Sequence, residues 1–184
     1  MGTIATSTES PKTLLDFRQY LRIQLLWYPA SLTIKDKDTT HCVDTISKAC
    51  IALRLRLLNR VVTKLYDDAL RPLGLRVNQL IILLATARLG LARPGQVCEI
   101  LQLDASTLSR NVKPLQAHGW LEVVLGEDAR AQPFQLTPQG WRLIEKAIPA
   151  WEEAQRQAAE LLGDEGFALL DRAAKKAGLS LPNR

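Results

Sequence analysis

The residues best suited to binding chemistry lie between positions 104 and 113. Ser106, Thr107, Ser109, Arg110 and Lys113 are small and hydroxylic or cationic. Hydroxyls and backbone N–H groups at the start of a helix bind phosphate well. An arginine can make a two-pronged bond to guanine. Leu108, Val112 and Leu115 alternate with these residues at helical spacing and give the helix an apolar face for a core. Asp104 is a good N-cap for such a helix, which should run to about His118, and Gly119 stands where a C-cap wants positive φ. A short helix over about Pro94–Leu101 and a turn around Gln102–Leu103 precede it. Helix, turn and second helix together spell a helix-turn-helix, whose second helix enters the major groove with its N-terminal half. An ordinary amphipathic helix with a solvated polar face has the same pattern, so this stretch alone leaves both readings open.

A second group follows. LEVVL (121–125) is a β-branched strand signal, Gly126–Asp128 a turn, and PFQL (133–136) a returning strand. Arg130 falls near the tip of that hairpin, with Asp128 two residues before it. An arginine at such a tip can enter the narrow, electronegative minor groove, and the aspartate can orient it or cap the turn. The plain alternative is a charged turn in water.

Other chemistries find little support. There is no glycine-rich phosphate loop, no GxSxG turn, no CxxC pair and no HExxH. His41 beside Cys42 lacks a third ligand at a telling distance, so no cofactor, no metal and no enzyme activity are expected. The net charge of +5 permits nucleic-acid binding. Residues 72–140, however, hold six Lys and Arg against five Asp and Glu, so contact must come from the placement of a few cations. Three cysteines, Cys42, Cys50 and Cys98, do not suggest a disulfide framework. The N-terminus has no basic start followed by an apolar run, and no apolar run approaches a bilayer span. The expectation is a cytoplasmic protein without membrane contact.

The elements that must carry these residues are mostly helical. Leu14, Phe17, Leu21 and Leu25 mark an amphipathic helix over 12–28, ended by Pro29 and followed by a linker over 30–40. Ile46, Cys50, Leu53, Leu57, Val61 and Leu65 trace one stripe along a long helix from about Cys42 to Leu70, stopped by Pro72 and Gly74. LIILLATA places a helix over about 77–88 in the core. Thr137 caps a long helix carrying Trp141, Ile144, Ile148, Trp151 and Leu161, kinked at Pro149. Gly163–Asp164 opens a last helix with Phe167, Leu170 and Ala174 on one side. The fold class is mainly α with a small β-hairpin wing. Its expected organisation is an N-terminal extension over 1–40, a helical dimerisation region over 41–71 and 138–178, and a winged helix-turn-helix over 72–137. The flanking stripes need a partner, and a second copy of the chain supplies one economically.

With these segments in view, the chain resembles the MarR family. LDASTLSRNVKPLQAHGWLEVV is similar to that family's recognition helix and first wing strand. EDAR followed by QLTPQG is similar to its wing signature, an Asp-x-Arg before a strand and a Leu-Thr-x-x-Gly helix start. GLRVNQLIILLATARLG resembles the helix ahead of its helix-turn-helix. The resemblance covers about residues 44–175. It implies a homodimer whose first and last helices interlock and hold two winged heads on duplex DNA carrying an inverted repeat. It makes Ser106, Thr107, Ser109, Arg110 and Lys113 groove and phosphate contacts, and Asp128 and Arg130 the wing pair. The chain departs from the family at Ala129, Ala131 and Gln132, where further basic residues are common.

The resemblance also implies a response to a small aromatic or anionic effector, or to oxidants. Cys50, Arg54 and Leu57 on the long helix, with Trp141 or Trp151, are candidates for lining the pocket; plain core packing is the alternative for the apolar ones. Cys50 lies near, but about two residues before, the place where some relatives sense peroxide with a cysteine. Arg56 and Arg60, one helical turn apart, are either solvated or paired with Asp67 or Asp68. The competing function is a winged-helix module that binds protein, against which Arg110, Lys113 and Arg130 speak.

Overall fold

The computed structural model describes residues 37–124 and 132–179. The helix expected over 12–28 and the wing tip with Asp128 and Arg130 lie outside them. The chain divides into two units, with the boundary between Ile51 and Ala52.

In the first unit α1 spans Lys37–Ala49. Its apolar side chains are exposed, with Ile46 65% accessible. The ion pair of Lys48 with Asp44 at 3.9 Å is solvated on both sides and of the kind that stabilises little. The expected single helix over 42–70 is two helices in the structure. α1 begins five residues earlier, and its last turn closes through a bond of 2.8 Å from the Cys50 N–H to the Ile46 carbonyl. α2 then covers Ile51–Leu70. No proline or glycine stands at that junction, so the apolar periodicity runs through it unbroken.

In the second unit, a 3-10 turn at Arg71–Leu73 ends on Gly74 with φ +68°. α3, α4 and α5 follow at Val77–Leu89, Pro94–Leu101 and Ala105–Ala117. The first turn of α3 is held from a distance: the Val77 N–H donates to Asp67 Oδ1 on α2 at 2.8 Å. Asp68 is engaged by Lys64 at 3.0 Å and by Arg71. The carboxylates expected to answer Arg56 or Arg60 therefore serve other groups. α3 is buried on several sides, through Leu80, Ile82, Leu83, Ala85 and Thr86; the Thr86 hydroxyl donates to the Ile82 carbonyl at 2.8 Å, so its burial leaves nothing unsatisfied.

β1 (Leu121–Val123) and β2 (Phe134–Leu136) pair antiparallel, with Leu121 opposite Leu136 and Val123 opposite Phe134. Ala92 adds a third, single-residue rung: its N–H and carbonyl exchange two 2.9 Å bonds with Phe134. The hairpin is thereby tied to the α3–α4 loop as well as to the core. Leu75, Leu83, Val97, Leu115, Leu121 and Phe134 all lie at 2% accessibility or less within one cluster, each side chain contributing about 1.5–3 kcal/mol by burial.

α6 runs over Pro138–Lys176 and is broken at Gly163, whose φ of +66° and ψ of 168° are not helical. This matches the helix start expected there. Gly163 is the residue that departs from helical dihedrals, and the expected kink at Pro149 is not expressed as such a break. The buried face of α6 is distinct from the apolar stripe expected to need a partner. Gly140, Leu143, Ala147, Ala154 and Ala158 face inward, whereas Trp141 and Trp151 remain 43% and 41% exposed. Small residues let the helix backbone approach the head; the tryptophans are left on the outside of the single chain. No described helix is long and apolar enough to cross a membrane.

Candidate nucleic-acid interface

α5 presents the candidate binding residues because its other face is immobilised. Leu108, Val112 and Leu115 are buried, which turns Ser106, Ser109, Arg110 and Lys113 outward; Thr107 is half-buried. The turn that aims α5 depends on Gln102, a non-glycine residue held left-handed at φ 51° and ψ 45°. Three bonds close that turn: the Leu103 N–H to the Cys98 carbonyl at 2.9 Å, the Gln102 N–H to the Glu99 carbonyl at 3.4 Å, and the Gln102 side-chain amide to the same carbonyl at 2.7 Å.

At the N-terminus of α5 Asp104 does more than cap. Its Oδ1 accepts the Thr107 N–H at 2.8 Å and the Ser106 hydroxyl at 2.5 Å, and its Oδ2 accepts the Thr107 hydroxyl at 2.7 Å. The Ser106 hydroxyl and the two Thr107 donors hold the Asp104 carboxyl well below the usual carboxylate range. A depressed carboxylate stabilises above its unfolded pKa, near 3.9, and ceases to as pH falls through its folded value. The melting temperature of the parent should therefore exceed that of Asp104→Ala by a constant few degrees between about pH 5 and 8. That gap should shrink in acid below about pH 4. A gap that kept its full width down to pH 2 would contradict the carboxylate's role.

Arg110 is folded back onto this cap. Its Nε donates to the Ser106 carbonyl at 3.2 Å, and its Nη2 lies 3.2 Å from Ser106 Oγ and 3.3 Å from Thr107 Oγ1. Asn111, unremarked in the sequence, donates to the Thr107 carbonyl at 2.8 Å. Lys113 lies one turn along the same exposed side. The structure thus brings Ser106, Thr107 and Arg110 into one cluster around Asp104, and leaves Ser109 and Lys113 outside it.

The C-terminal end of the interface is fixed where α5, β1 and α6 meet. Gly119 has φ +68°, as expected for a C-cap. Thr137 then links three elements. Its hydroxyl donates to the Gly119 carbonyl at 2.6 Å, its N–H donates to the Trp120 carbonyl at 3.2 Å, and its Oγ1 accepts the Gly140 N–H at 3.0 Å. A Cβ on Gly140 would stand 2.2 Å from the Trp120 carbonyl oxygen. The Leu-Thr-x-x-Gly helix start is therefore a clamp between the wing and α6.

The effector candidates are placed less tightly. A groove of about 770 Å³ lies along α2 and the start of α3, lined by Asn59, Arg60, Thr63, Lys64, Asp67, Asp68, Arg71, Arg76 and Asn78 among others. None of Cys50, Arg54, Leu57 and Trp141 lines it. Cys50 belongs to the first unit and the other three to the second; Arg54 and Trp141 are exposed, and Leu57 is half-buried. Cys42, Cys50 and Cys98 form no disulfide. Among the described residues no group of three or more His, Cys, Asp or Glu side chains is placed to hold a metal ion.

A helix-turn-helix with a polar second helix, a two-stranded wing and a clamped helix behind it defines the class: a winged helix-turn-helix protein. Residues 73–131 match the sequence model of the MarR family. The chain is 28% identical over 87 residues to an uncharacterized HTH-type transcriptional regulator, YwoH, of Bacillus subtilis; the match takes in 47% of this chain and spans 64% of that relative's length. The fold is shared with a MarR variant from E. coli solved in complex with operator DNA, at a TM-score of 0.64 and 20% identity over 72% of this chain and 96% of that one. A probable transcriptional regulator from Pseudomonas aeruginosa gives 0.63 at 23% identity, over 71% and 98%. Bordetella bronchiseptica BpsR, whose DNA binding is regulated by 6-hydroxynicotinic acid, gives 0.63 at 19%, over 72% and 96%.

Proposed function

We propose that this protein is a sequence-specific DNA-binding transcription regulator, a homodimer that represses until a small effector or an oxidant releases it. The observation that carries the reading is the two-faced α5. Its apolar side is locked in the core, and its exposed side offers Ser106, Ser109, Arg110 and Lys113 where a major groove would meet them. The E. coli relative bound to operator DNA supports it, as does the match at residues 73–131. A regulator of this kind needs no catalytic group and works in the cytoplasm.

The dimer is supported by apolar side chains that the single chain leaves in water. Ile51 and Leu55 on α2, Trp141 and Trp151 on α6, and Phe167 and Leu170 beyond Gly163 are all exposed. Large unpartnered apolar surface marks an interface, and a second copy with its own α2 and α6 is a self-complementary partner. For the effector, the groove beside α2 is the better host. Asp68 is shared by Lys64 and Arg71, and Asp67 is engaged by the Val77 N–H, so the four cations Arg60, Lys64, Arg71 and Arg76 outweigh the two acids. That balance suits a small anion.

The test is a selection from a pool of random duplex DNA. It should enrich an inverted repeat with half-site centres about 10 bp apart, and light scattering should return twice the mass of one chain at micromolar concentration. Failure to enrich any sequence would remove the DNA-reading function and favour a protein-binding module. A single-chain mass would remove the dimer.

A further inference from the structure

Arg110 does not stand free at the helix surface; it is held by hydroxyls that are themselves held by Asp104. A serine or threonine hydroxyl has one proton to donate and two lone pairs to offer. The Ser106 and Thr107 protons both go to the Asp104 carboxylate, at 2.5 and 2.7 Å. Their lone pairs are thereby left for the Arg110 Nη2, at 3.2 and 3.3 Å, while Nε is occupied by the Ser106 carbonyl. The guanidinium keeps only its Nη1 edge for an outside acceptor. With their protons spent on Asp104, neither hydroxyl is a donor to phosphate in this arrangement.

We propose that Asp104 is a positioning residue for base reading: through the Ser106 and Thr107 hydroxyls it sets where the Arg110 guanidinium points, and so sets the preference at the base pair Arg110 meets. The inference rests on the DNA-reading function proposed above. Asp104 touches no base. Its negative charge at the helix N-terminus also repels phosphate, so it lowers affinity for DNA of any sequence while sharpening the preference for one.

Asp104→Asn separates this role from capping. Asparagine caps a helix about as well as aspartate, so the melting temperature should stay closer to that of the parent than Asp104→Ala does. Its amide, however, offers one acceptor oxygen where the carboxylate offers two. Thr107 loses its acceptor, its hydroxyl turns, and Arg110 loses one anchor. Two measurements follow. Exchange of the Arg110 Nε proton, read by NMR on the DNA-free protein, should speed up in Asp104→Asn. On a duplex enriched by the parent from a random pool, discrimination at the base pair sensitive to Arg110→Ala should fall about tenfold, while affinity for an unrelated duplex rises. In the Arg110→Ala background, Asp104→Asn should change discrimination no further, as a coupled pair requires. Unchanged Nε exchange overturns the proposal whatever the DNA does. So does unchanged discrimination in Asp104→Asn where Arg110→Ala abolishes it, since Asp104 is then only a cap. If Arg110→Ala binds every duplex as the parent does, the DNA-reading function falls and base positioning falls with it.

Discussion

Gly140→Ala should cost on the order of 3 kcal/mol of stability or more, and lower the melting temperature by about 6–12 °C. The alanine Cβ would stand 2.2 Å from the Trp120 carbonyl oxygen and 2.7 Å from Leu136 Cδ2. One obstacle is backbone and the other belongs to a buried side chain of β2, so neither can rotate out of the way. The Trp120 carbonyl also accepts the Thr137 N–H at 3.2 Å. Pushing it aside loosens the bond that starts α6 and moves the residue that leads into β1. Alanine's better helix propensity returns only about 1 kcal/mol. Gly95→Ala, in α4, is the control, because its added Cβ meets nothing within 4 Å and needs no unusual φ; it should be neutral or slightly stabilising. Thermal unfolding of the two variants beside the parent decides the matter. Melting of Gly140→Ala within a degree of the parent would mean that the approach of α6 to the wing is not as close as described.

The second large effect is expected on DNA. Arg110→Ala should cost about 1–3 kcal/mol per contacted base and relax the preference at one position of each half-site. The effect is local in sequence because Arg110 sits on α5, whose buried face fixes its height in the groove. Arg130→Ala should behave differently. In the proposed function Arg130, near the tip of the expected hairpin, would read groove width and phosphate charge, so its loss should weaken binding to many sequences together and make the salt dependence shallower. Affinities for a panel of single-base operator variants at two salt concentrations separate the two patterns. If both variants bound every duplex as tightly as the parent, helix and wing would not be the reading surface.

The local signals were legible in the sequence because their causes lie within a few residues. Asp104 caps α5 through Thr107, three positions on. Thr137 caps α6 through Gly140 by the same geometry, and Gly90 and Gly119 take the positive φ that ends a helix or turn. The periodicity of Leu108, Val112 and Leu115 placed the polar face of α5 correctly, since a helix buried on one side has one solution.

What failed, or went unseen, depends on residues far apart in the chain. Trp141, Ile148 and Trp151 of the apolar stripe of α6 stay exposed in the single chain, as a stripe that needs a partner would, while the inward face of Gly140, Leu143, Ala147, Ala154 and Ala158 went unread. The close approach of Gly140 to the Trp120 carbonyl is visible only in the fold. The break at Cys50 carries no proline or glycine to announce it. The Ala92–Phe134 rung and the bond from Val77 to Asp67 are likewise tertiary facts. Sequence alone determined that a helix with Ser106, Thr107, Ser109, Arg110 and Lys113 would face outward, because amphipathic spacing is a local property. That two of those hydroxyls are committed to Asp104 and that Arg110 rests on them is also local in the chain, yet only the structure shows it, because a hydrogen bond between side chains is settled by rotamer and distance rather than by residue type. What the tertiary structure alone decided is the clamp of Thr137 and Gly140 on Gly119 and Trp120, residues distant in sequence.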